Sequence, residues 1–292
     1  MYNMNIIGIY TSDITENVIE CIEKLQKLFS SQIYTFYLHC EDSSYKNEKI
    51  ANIHYFDTIE ELKKPLFIIS IGGDGTFIRA SHFVVKTGIP IVGINYGRMG
   101  FLADIQKEEL ALFANQILTH KYTIEERPFI ELHSTKDLFG DKNFALNEIT
   151  ISNKDSKHLM TFHTWINDEH LGSFWADGIM ISTPTGSTAY SLSLGGPILT
   201  PSSKNLIINT IAPHSLTVRP IVIPDDSEIK IQIEGRDKEY NLSLDTNTKS
   251  FESSNILKIR KSEHLLKIIK IEGKSYFNTL RNKLMWGLDV RN

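Results

Sequence analysis

Apolar and polar positions follow two different rhythms along the chain. In the first third, short β-branched runs are separated by stretches of helical spacing. Ile6-Ile7-Gly8-Ile9-Tyr10 reads as a strand, and residues 15–30 put Val18, Ile19, Ile22, Leu25 and Leu28 on one helical face. Ile33–Leu38 predicts a second strand. Leu66–Ile71 is an apolar run broken only by Ser70, as in a parallel strand covered on both faces. Phe77–Lys86 predicts a helix ending near Gly88, and Ile89–Asn95 the next strand. This order predicts a doubly wound α/β domain with right-handed crossovers. Ligands of such sheets sit at the carboxyl ends of the strands, where Asp74 and Asn95 fall.

After about residue 125 short strand-like stretches take over: Phe129–His133, Glu148–Ser152, Leu159–Ile166 and Ile179–Thr183. Ile229, Ile231 and Ile233 alternate with polar residues, and Asn241–Leu244 and Ile256–Ile259 continue the pattern. They predict a second, mainly antiparallel β domain. The tail SYFNTLRNKLMWG spaces Phe277, Leu280, Leu284 and Met285 as one helical face and stops at Gly287. Three segments result: an α/β domain over residues 1–125, a β-rich domain over 126–270 and a helical tail over 271–292 that docks on another domain.

A length of 292 residues suits two domains. With a formal net charge of −4, nothing global draws the chain to nucleic acid or an anionic membrane, so an anionic ligand has to be held locally. The two cysteines, Cys21 and Cys40, lack metal-ligand spacing and read as buried thiols of a reducing compartment. MYNMNIIGIY has no basic n-region and too short an apolar run for a signal peptide, and no run reaches membrane-spanning length. A cytoplasmic protein is expected.

Candidate chemistry begins at IGGDGTFIRA, residues 71–80, between a predicted strand and a predicted helix. Glycines let a ligand approach the main chain. The amides of Gly72, Gly73, Gly75 and Thr76 are expected to point outward together beside a helix N-terminus, a phosphate cradle without lysine. Asp74 repels phosphate, which suits a general base for an attacking hydroxyl or a holder of a metal ion. The plainer alternative is that Asp74 caps a helix beginning near Thr76. The Walker pattern fails because Ile268 stands five residues before Gly273-Lys274-Ser275. The dinucleotide fingerprint fails because Ile78 stands where a third glycine belongs.

Residues 182–197, STPTGSTAYSLSLGGP, crowd hydroxyls and glycines around Tyr190. The stretch looks too polar for core and suited to a hydroxyl-rich or phosphorylated ligand, with Tyr190 as a stacking face. Asn147-Glu148 pairs an amide with a carboxylate, able to hold ribose hydroxyls or the edge of a base, or to be a surface turn. Asp177-Gly178 at a strand entrance reads as a turn. Arg79, one turn after Gly75, faces either an anion or solvent.

Together, GGDGT, Asn147-Glu148, Asp177-Gly178 and TPTGSTAYSLSLGGP, with NYGRMGFLAD at 95–104, resemble the NAD kinase family over nearly the whole chain. GGDGT alone is also similar to diacylglycerol and sphingosine kinases and to the GGDGS of phosphofructokinases. The long hydroxyl-rich motif separates the NAD kinases from those. The resemblance implies phosphorylation of the 2′-hydroxyl of the adenosine ribose of NAD, from ATP with a divalent metal ion, magnesium by expectation. It makes Asp74 the base and sets Gly72, Gly73, Gly75 and Thr76 around the donor's phosphates. Asn147 and Glu148 would hold the adenine side and Asp177 the nicotinamide side. Thr188, Ala189, Tyr190 and Ser193 would line the dinucleotide pocket, and Asp74, Gly75, Arg79, Phe101, Ala212 and Asn247 would touch NAD as well. The resemblance also implies a homodimer or homotetramer, a sandwich-like second domain and a C-terminal helix returning to the first. Many relatives carry a basic residue two places before the aspartate of Asp-Gly, where this chain has Trp175.

Overall fold

The structure, a computed structural model, describes residues 5–29, 33–42, 50–97, 100–154, 158–237, 239–252, 256–285 and 287. Ser30 of the first helical stretch, and Arg98 and Met99 of the 95–104 segment, lie outside these described residues. Two compact units divide the chain: residues 1–126 with 266–292, and residues 127–265.

The first unit begins β1 (Asn5–Thr11), α1 (Glu16–Phe29), β2 (Tyr34–Cys40), β3 (Ile53–Tyr55), β4 (Phe67–Ile71), α2 (Asp74–Val84), β5 (Ile91–Asn95), β6 (Ile105–Gln106) and α3 (Leu110–Leu118). The sheet runs β5-β4-β1-β2-β3 with every pair parallel, and β6 adds parallel to β5. Residue parity decides which helix each strand meets. Ile7, Ile9, Ile69, Ile71, Val92 and Ile94 share a core with Val18, Ile22 and Leu25 of α1 and Phe113 of α3. On the opposite face a Cβ at Gly93 would stand 2.8 Å from the Phe77 ring and 2.6 Å from Ala103 Cα. Glycine there lets α2 and the segment around Ala103 close on the sheet.

Helix α2 starts three residues before the predicted Phe77, because Gly73 takes an extended conformation and becomes its N-cap. Helix α1 buries Cys21 and Phe29 in addition to Val18, Ile22 and Leu25, while Ile19 and Leu28 pack at the margin. Both cysteines are free and buried, and burial pushes the Cys21 thiol up to about 12.

The chain continues through β7 (Tyr122–Ser134), which enters the second unit at Arg127, and then β8 (Phe144–Ala145), β9 (Glu148–Asn153), β10 (Met160–Ile166), β11 (Glu169–Ala176) and β12 (Gly178–Ser182). After a helical turn, α4 (Tyr190–Ser193), come β13 (Asn205–Ile211), β14 (Ile221–Pro224), β15 (Ile229–Glu234), β16 (Glu239–Leu244), β17 (Asn247–Glu252) and β18 (Leu257–Ile271). One antiparallel sheet has the order β14-β13-β12-β9-β16-β17. In the other, β11, β10, β15 and residues 257–259 of β18 pair antiparallel. Alternate residues of the two sheets, Ile149, Ile151, Ile179 and Leu242 from one and Phe162, Ile229, Ile231 and Leu257 from the other, share one core. That is the sandwich-like packing expected of a half-buried alternation.

Strand β18 runs well past the predicted end at Ile259, and in the first unit its Ile268 pairs parallel with Ile91. Helix α5 (Tyr276–Leu284) follows, N-capped by Ser275, whose Oγ accepts the Asn278 N–H at 3.2 Å. Of its predicted apolar face only Leu280 is buried; Phe277, Leu284 and Met285 are exposed. Charge anchors this tail instead. Lys270 Nζ lies 2.6 Å from Asp104 Oδ2, and Lys274 Nζ donates to Glu109 Oε2 at 2.5 Å and Asp104 O at 2.9 Å. No helix among the described residues is long and apolar enough to cross a membrane.

The Lys270–Asp104 pair is nearly closed to solvent, with side chains 16% and 8% exposed. Lys270→Met should strand a buried carboxylate and cost about 3–5 kcal/mol, and Asp104→Asn in the same chain should recover part of it. Urea unfolding of the two variants measures both effects; equal stabilities of wild type and Lys270→Met would contradict the assignment.

Candidate active site

Strand β4 leads through Gly72 and Gly73 into α2. Gly72 sits at φ +152, and a Cβ there would stand 2.5 Å from Thr76 Oγ1, so the turn requires glycine. Its N–H donates to Ile94 O at 2.9 Å. Gly72 therefore does not present an outward amide, contrary to expectation, because the sheet claims it. The first intrahelical bond runs from Phe77 N–H to Gly73 O at 3.1 Å. The amides of Asp74, Gly75 and Thr76, in the first turn, have no helical acceptor. A Cβ at Gly73 would meet nothing within 4 Å, so the main chain is open to a ligand there.

The Asp74 carboxylate does not cap its own helix. Its Oδ2 accepts the Phe101 N–H at 2.8 Å, and its Oδ1 accepts the Leu102 and Ala103 N–H groups, each at 3.0 Å. A Cβ at Gly100 would fall on Asp74 Oδ1, so this grip requires glycine at 100. Lys283 Nζ of α5 stands 3.4 Å from Asp74 Oδ2 and 4.7 Å from the centre of the Phe101 ring. Asp13, Gly73, Asp74, Asn95, Gly100 and Lys283 line a cleft of about 480 Å³. Arg79 is neither free nor simply solvated: its Nε donates to Glu41 Oε1 and its Nη2 to Ser12 Oγ, both at 2.6 Å.

In the second unit the central device is Asp245, in the two-residue turn between β16 and β17, with φ +50. Its Oδ2 accepts the Leu146 N–H at 2.7 Å, and its Oδ1 the Asn147 and Glu148 N–H groups at 2.7 and 3.1 Å. Glu148 Oε2 is shut off from solvent without a hydrogen bond. Burial, and then the negative charge of Asp245, push the Glu148 carboxyl up to about 8.

The hydroxyl-rich motif corrects the expectation drawn from its composition. Ser182, Thr183, Thr185, Ser187 and Ser191 are buried. They are satisfied by the backbone and by one another's neighbours: Thr183 Oγ1 donates to Leu146 O at 2.5 Å, Ser187 Oγ to Pro184 O at 2.6 Å, and Asn209 Nδ2 to Ser191 Oγ at 2.8 Å. A hydroxyl with a main-chain partner is cheap to bury, which is why polarity misjudged the stretch. Thr188 and Ala189 are half-buried, and Tyr190 and Ser193 are exposed.

These contacts bring the 182–193 loop, Asn147, Glu148 and the Asp245 turn together, and Asn247 joins them by pairing with Leu244. Asp177 and Ala212 lie elsewhere. Ser182 pairs with Glu148 at one end of β12, while Gly178 pairs with Ser152 at the other. Asp177 is thus roughly 17 Å along the strand from Ser182, at about 3.4 Å per residue. There its N–H donates to Ile211 O at 3.0 Å, next to Ala212 at φ +45, so Asp177-Gly178 is a junction of paired strands rather than a free turn. Trp175 is exposed and lies against His214, with ring centres 4.5 Å apart and the planes tilted by 39°. Sequence reasoning passed over Asp245, Gly100 and Lys283. An aspartate opening a tight turn in LDTNT was the available signal for the first; the other two act through partners far away in the chain.

Comparison with known proteins gives these positions a family. A model described as the ATP-NAD kinase N-terminal domain matches residues 15–122, and one described as the ATP-NAD kinase C-terminal domain matches 146–271. The NAD kinase of Flavobacterium johnsoniae is 50% identical over 227 residues, 77% of each chain. That of Christiangramia forsetii is 38% identical over 294 residues, 98% of this chain and 99% of the relative. The fold is shared with yeast NADH kinase, solved with NADH, at TM-score 0.86 and 22% identity, over 99% of this chain and 89% of the other. It is shared also with an NAD kinase from Archaeoglobus fulgidus, solved with ATP, at TM-score 0.75 and 23% identity, over 96% of this chain and 98% of the other. The α/β unit with its glycine-rich turn and the β-rich unit are thus those of a phosphotransferase. The chain belongs to the NAD kinase family.

A carboxyl with an ordinary value of 4.5 that is pushed to about 8 on folding holds its proton in the folded state across that interval. Stability carried by the neutral Glu148 is complete below the lower value and is lost as pH rises through the upper one. Glu148→Gln cannot ionise, so its melting temperature relative to wild type should climb between about pH 5 and about pH 8.5. Thermal melts across that range measure the difference; a constant gap would mean that Glu148 titrates like a surface carboxyl.

Proposed function

We propose that the chain transfers the terminal phosphate of ATP to the 2′-hydroxyl of the adenosine ribose of NAD, giving NADP, with Asp74 as general base. One observation carries the role of Asp74. Three main-chain N–H groups fix its carboxylate and take three of its four acceptor positions; the fourth, on Oδ2, meets the long 3.4 Å bond from Lys283 Nζ, which a hydroxyl can displace. A ribose hydroxyl is a weak nucleophile at neutral pH, so a positioned base matters, and transfer otherwise depends on alignment and charge stabilisation.

The first-turn amides of α2, at Gly75 and Thr76, with the open main chain of Gly73, suit the donor's phosphates; Gly72 serves through the turn it makes. Asn147 and Glu148 take the adenine side of NAD and Asp177 the nicotinamide side. Thr188, Ala189, Tyr190 and Ser193 line the pocket, and Arg79, Phe101, Ala212 and Asn247 contribute contacts. Glu148, largely neutral at pH 7, can donate a hydrogen bond to a ribose or base acceptor. The length of β12 between the two proposed ends suits an extended dinucleotide. The yeast relative's complex with NADH and the archaeal one's with ATP support the choice of substrates.

Among the described residues no group of three or more His, Cys, Asp or Glu could hold a metal ion. Magnesium carried in on the donor's phosphates would meet the Asp13 carboxylate in the cleft and neutralise phosphate charge there. Free, buried Cys21 and Cys40 accord with a cytoplasmic setting. Exposed Leu216, Ile221 and Val222 of the second unit support a homodimer or homotetramer.

The test is incubation with NAD, ATP and magnesium and detection of NADP. Asp74→Asn should lower turnover by roughly 10²–10⁴-fold while NAD affinity survives. Asn147→Ala and Tyr190→Ala should chiefly weaken NAD affinity. Near-normal turnover in the first variant removes Asp74 from the chemistry, and unchanged affinity in the other two places the dinucleotide wrongly.

A further inference from the structure

The C-terminal segment of the first unit brings three lysines to carboxylates, and they are not alike. Lys270 and Lys274 sit 2.6 and 2.5 Å from Asp104 and Glu109, with side chains 16% and 15% exposed. Those are tight, structural ion pairs. Lys283 stands off from Asp74 at 3.4 Å and is 33% exposed. A charge-assisted hydrogen bond usually closes to about 2.7–2.9 Å, so this ammonium is held to the carboxylate by one long, weak ion pair. Asp74 does not need it, since three amides already hold that carboxylate.

The face of the Phe101 ring, 4.7 Å away, also holds Lys283. Attraction of a cation to a ring face positions the charge while consuming none of its N–H donors. Beyond the long bond to Asp74, the ammonium thus enters the cleft with two of its three N–H donors to spare. The cleft also holds the carboxylates of Asp13 and Asp74, and among its described lining residues Lys283 is the one cation. The amides of the α2 first turn accept an anion but bring only partial charge. A phosphoryl group beside Asp74 needs a full positive charge to offset the repulsion, and charge on its equatorial oxygens is what such a transfer must stabilise. A lysine, a compact charge on a flexible stem, can follow those oxygens as the phosphorus moves.

We infer that Lys283 is a phosphoryl-binding catalytic residue: its ammonium donates to a non-bridging oxygen of the transferring group and leaves Oδ2 of Asp74 to the acceptor hydroxyl. This rests on the proposed placement of the donor's phosphates at the N-terminus of α2.

The test uses the full chain with Lys283→Ala, Lys283→Arg and wild type, assayed with NAD and magnesium-ATP. Turnover of Lys283→Ala should fall by roughly 10²–10³-fold, as on removal of one transition-state donor. Its NAD affinity, measured by titration, and its melting temperature should stay at wild-type values. Lys283→Arg should restore part of the loss, and added ethylamine should raise turnover of Lys283→Ala but not of wild type. Unchanged turnover in Lys283→Ala overturns the inference. So does a loss that comes with a lowered melting temperature and no response to ethylamine, the mark of a merely structural lysine. If wild type makes no NADP, the underlying reading of the site fails and the inference falls with it. If wild type is active and Lys283→Ala is too, the inference alone fails.

Discussion

The grip of the Asp74 carboxylate on the amides of Phe101, Leu102 and Ala103 is the constraint around which the first unit's cleft is arranged. Three consecutive N–H groups in the connection between β5 and β6, outside any strand or helix, need acceptors. One ionisable side chain supplies them all, and charged acceptors make stronger bonds than carbonyls. The surrounding glycines follow from this. Gly100 leaves room for Oδ1, Gly93 lets Ala103 and Phe77 close on the sheet, and Gly72 makes the turn that starts α2 at the aspartate. The glycine-rich turn is therefore a device for placing one carboxylate at a fixed distance from helix-terminal amides, with the second glycine-containing segment as its socket. Flexibility is not its purpose.

The second unit uses the same arrangement with different residues. Asp245 gathers the amides of Leu146, Asn147 and Glu148, as Asp74 gathers those of 101–103. The short aspartate stem reaches three successive amides from a tight turn. The electrostatic consequence differs. Asp245 adds its charge to the burial that already disfavours ionised Glu148, and so keeps a neighbouring carboxyl protonated near neutrality. A loop built this way can offer a donor where its sequence reads as an acceptor.

Elements whose cause is local were legible in the sequence. The apolar run of β4, the alternation of Ile229, Ile231 and Ile233, and the face of α1 that carries Val18, Ile22 and Leu25 all follow from burial periodicity. Features whose cause is a distant partner were not. The amide of Gly72 is taken by Ile94, and Arg79 is engaged by Glu41 and Ser12. The hydroxyls of residues 182–191 looked ligand-facing because composition records polarity and not partners; Leu146, Pro184 and Asn209 satisfy them in the interior. Helix α5 failed its hydrophobic reading for a related reason. Its spacing suggested a broad apolar face, yet of that face Leu280 alone is buried. The segment before it is fixed by ion pairs that no periodicity encodes.

Those ion pairs connect the tail to the cleft by a short path. Asp104, which Lys270 and Lys274 both engage, directly follows Ala103, whose amide Asp74 holds. The segment 101–104 is thus clamped on one side by the carboxylate at the start of α2 and on the other by lysines leading into α5. Lys283 extends from that same helix and rests on Phe101, a member of the clamped segment. The carboxylate and the ammonium are therefore positioned from one short stretch of backbone, and their separation is set by three residues of main chain rather than by the width of the unit. A chain that has to keep an acid and a cation close without letting them pair tightly is served by such a frame, because anything that moves one moves the other with it.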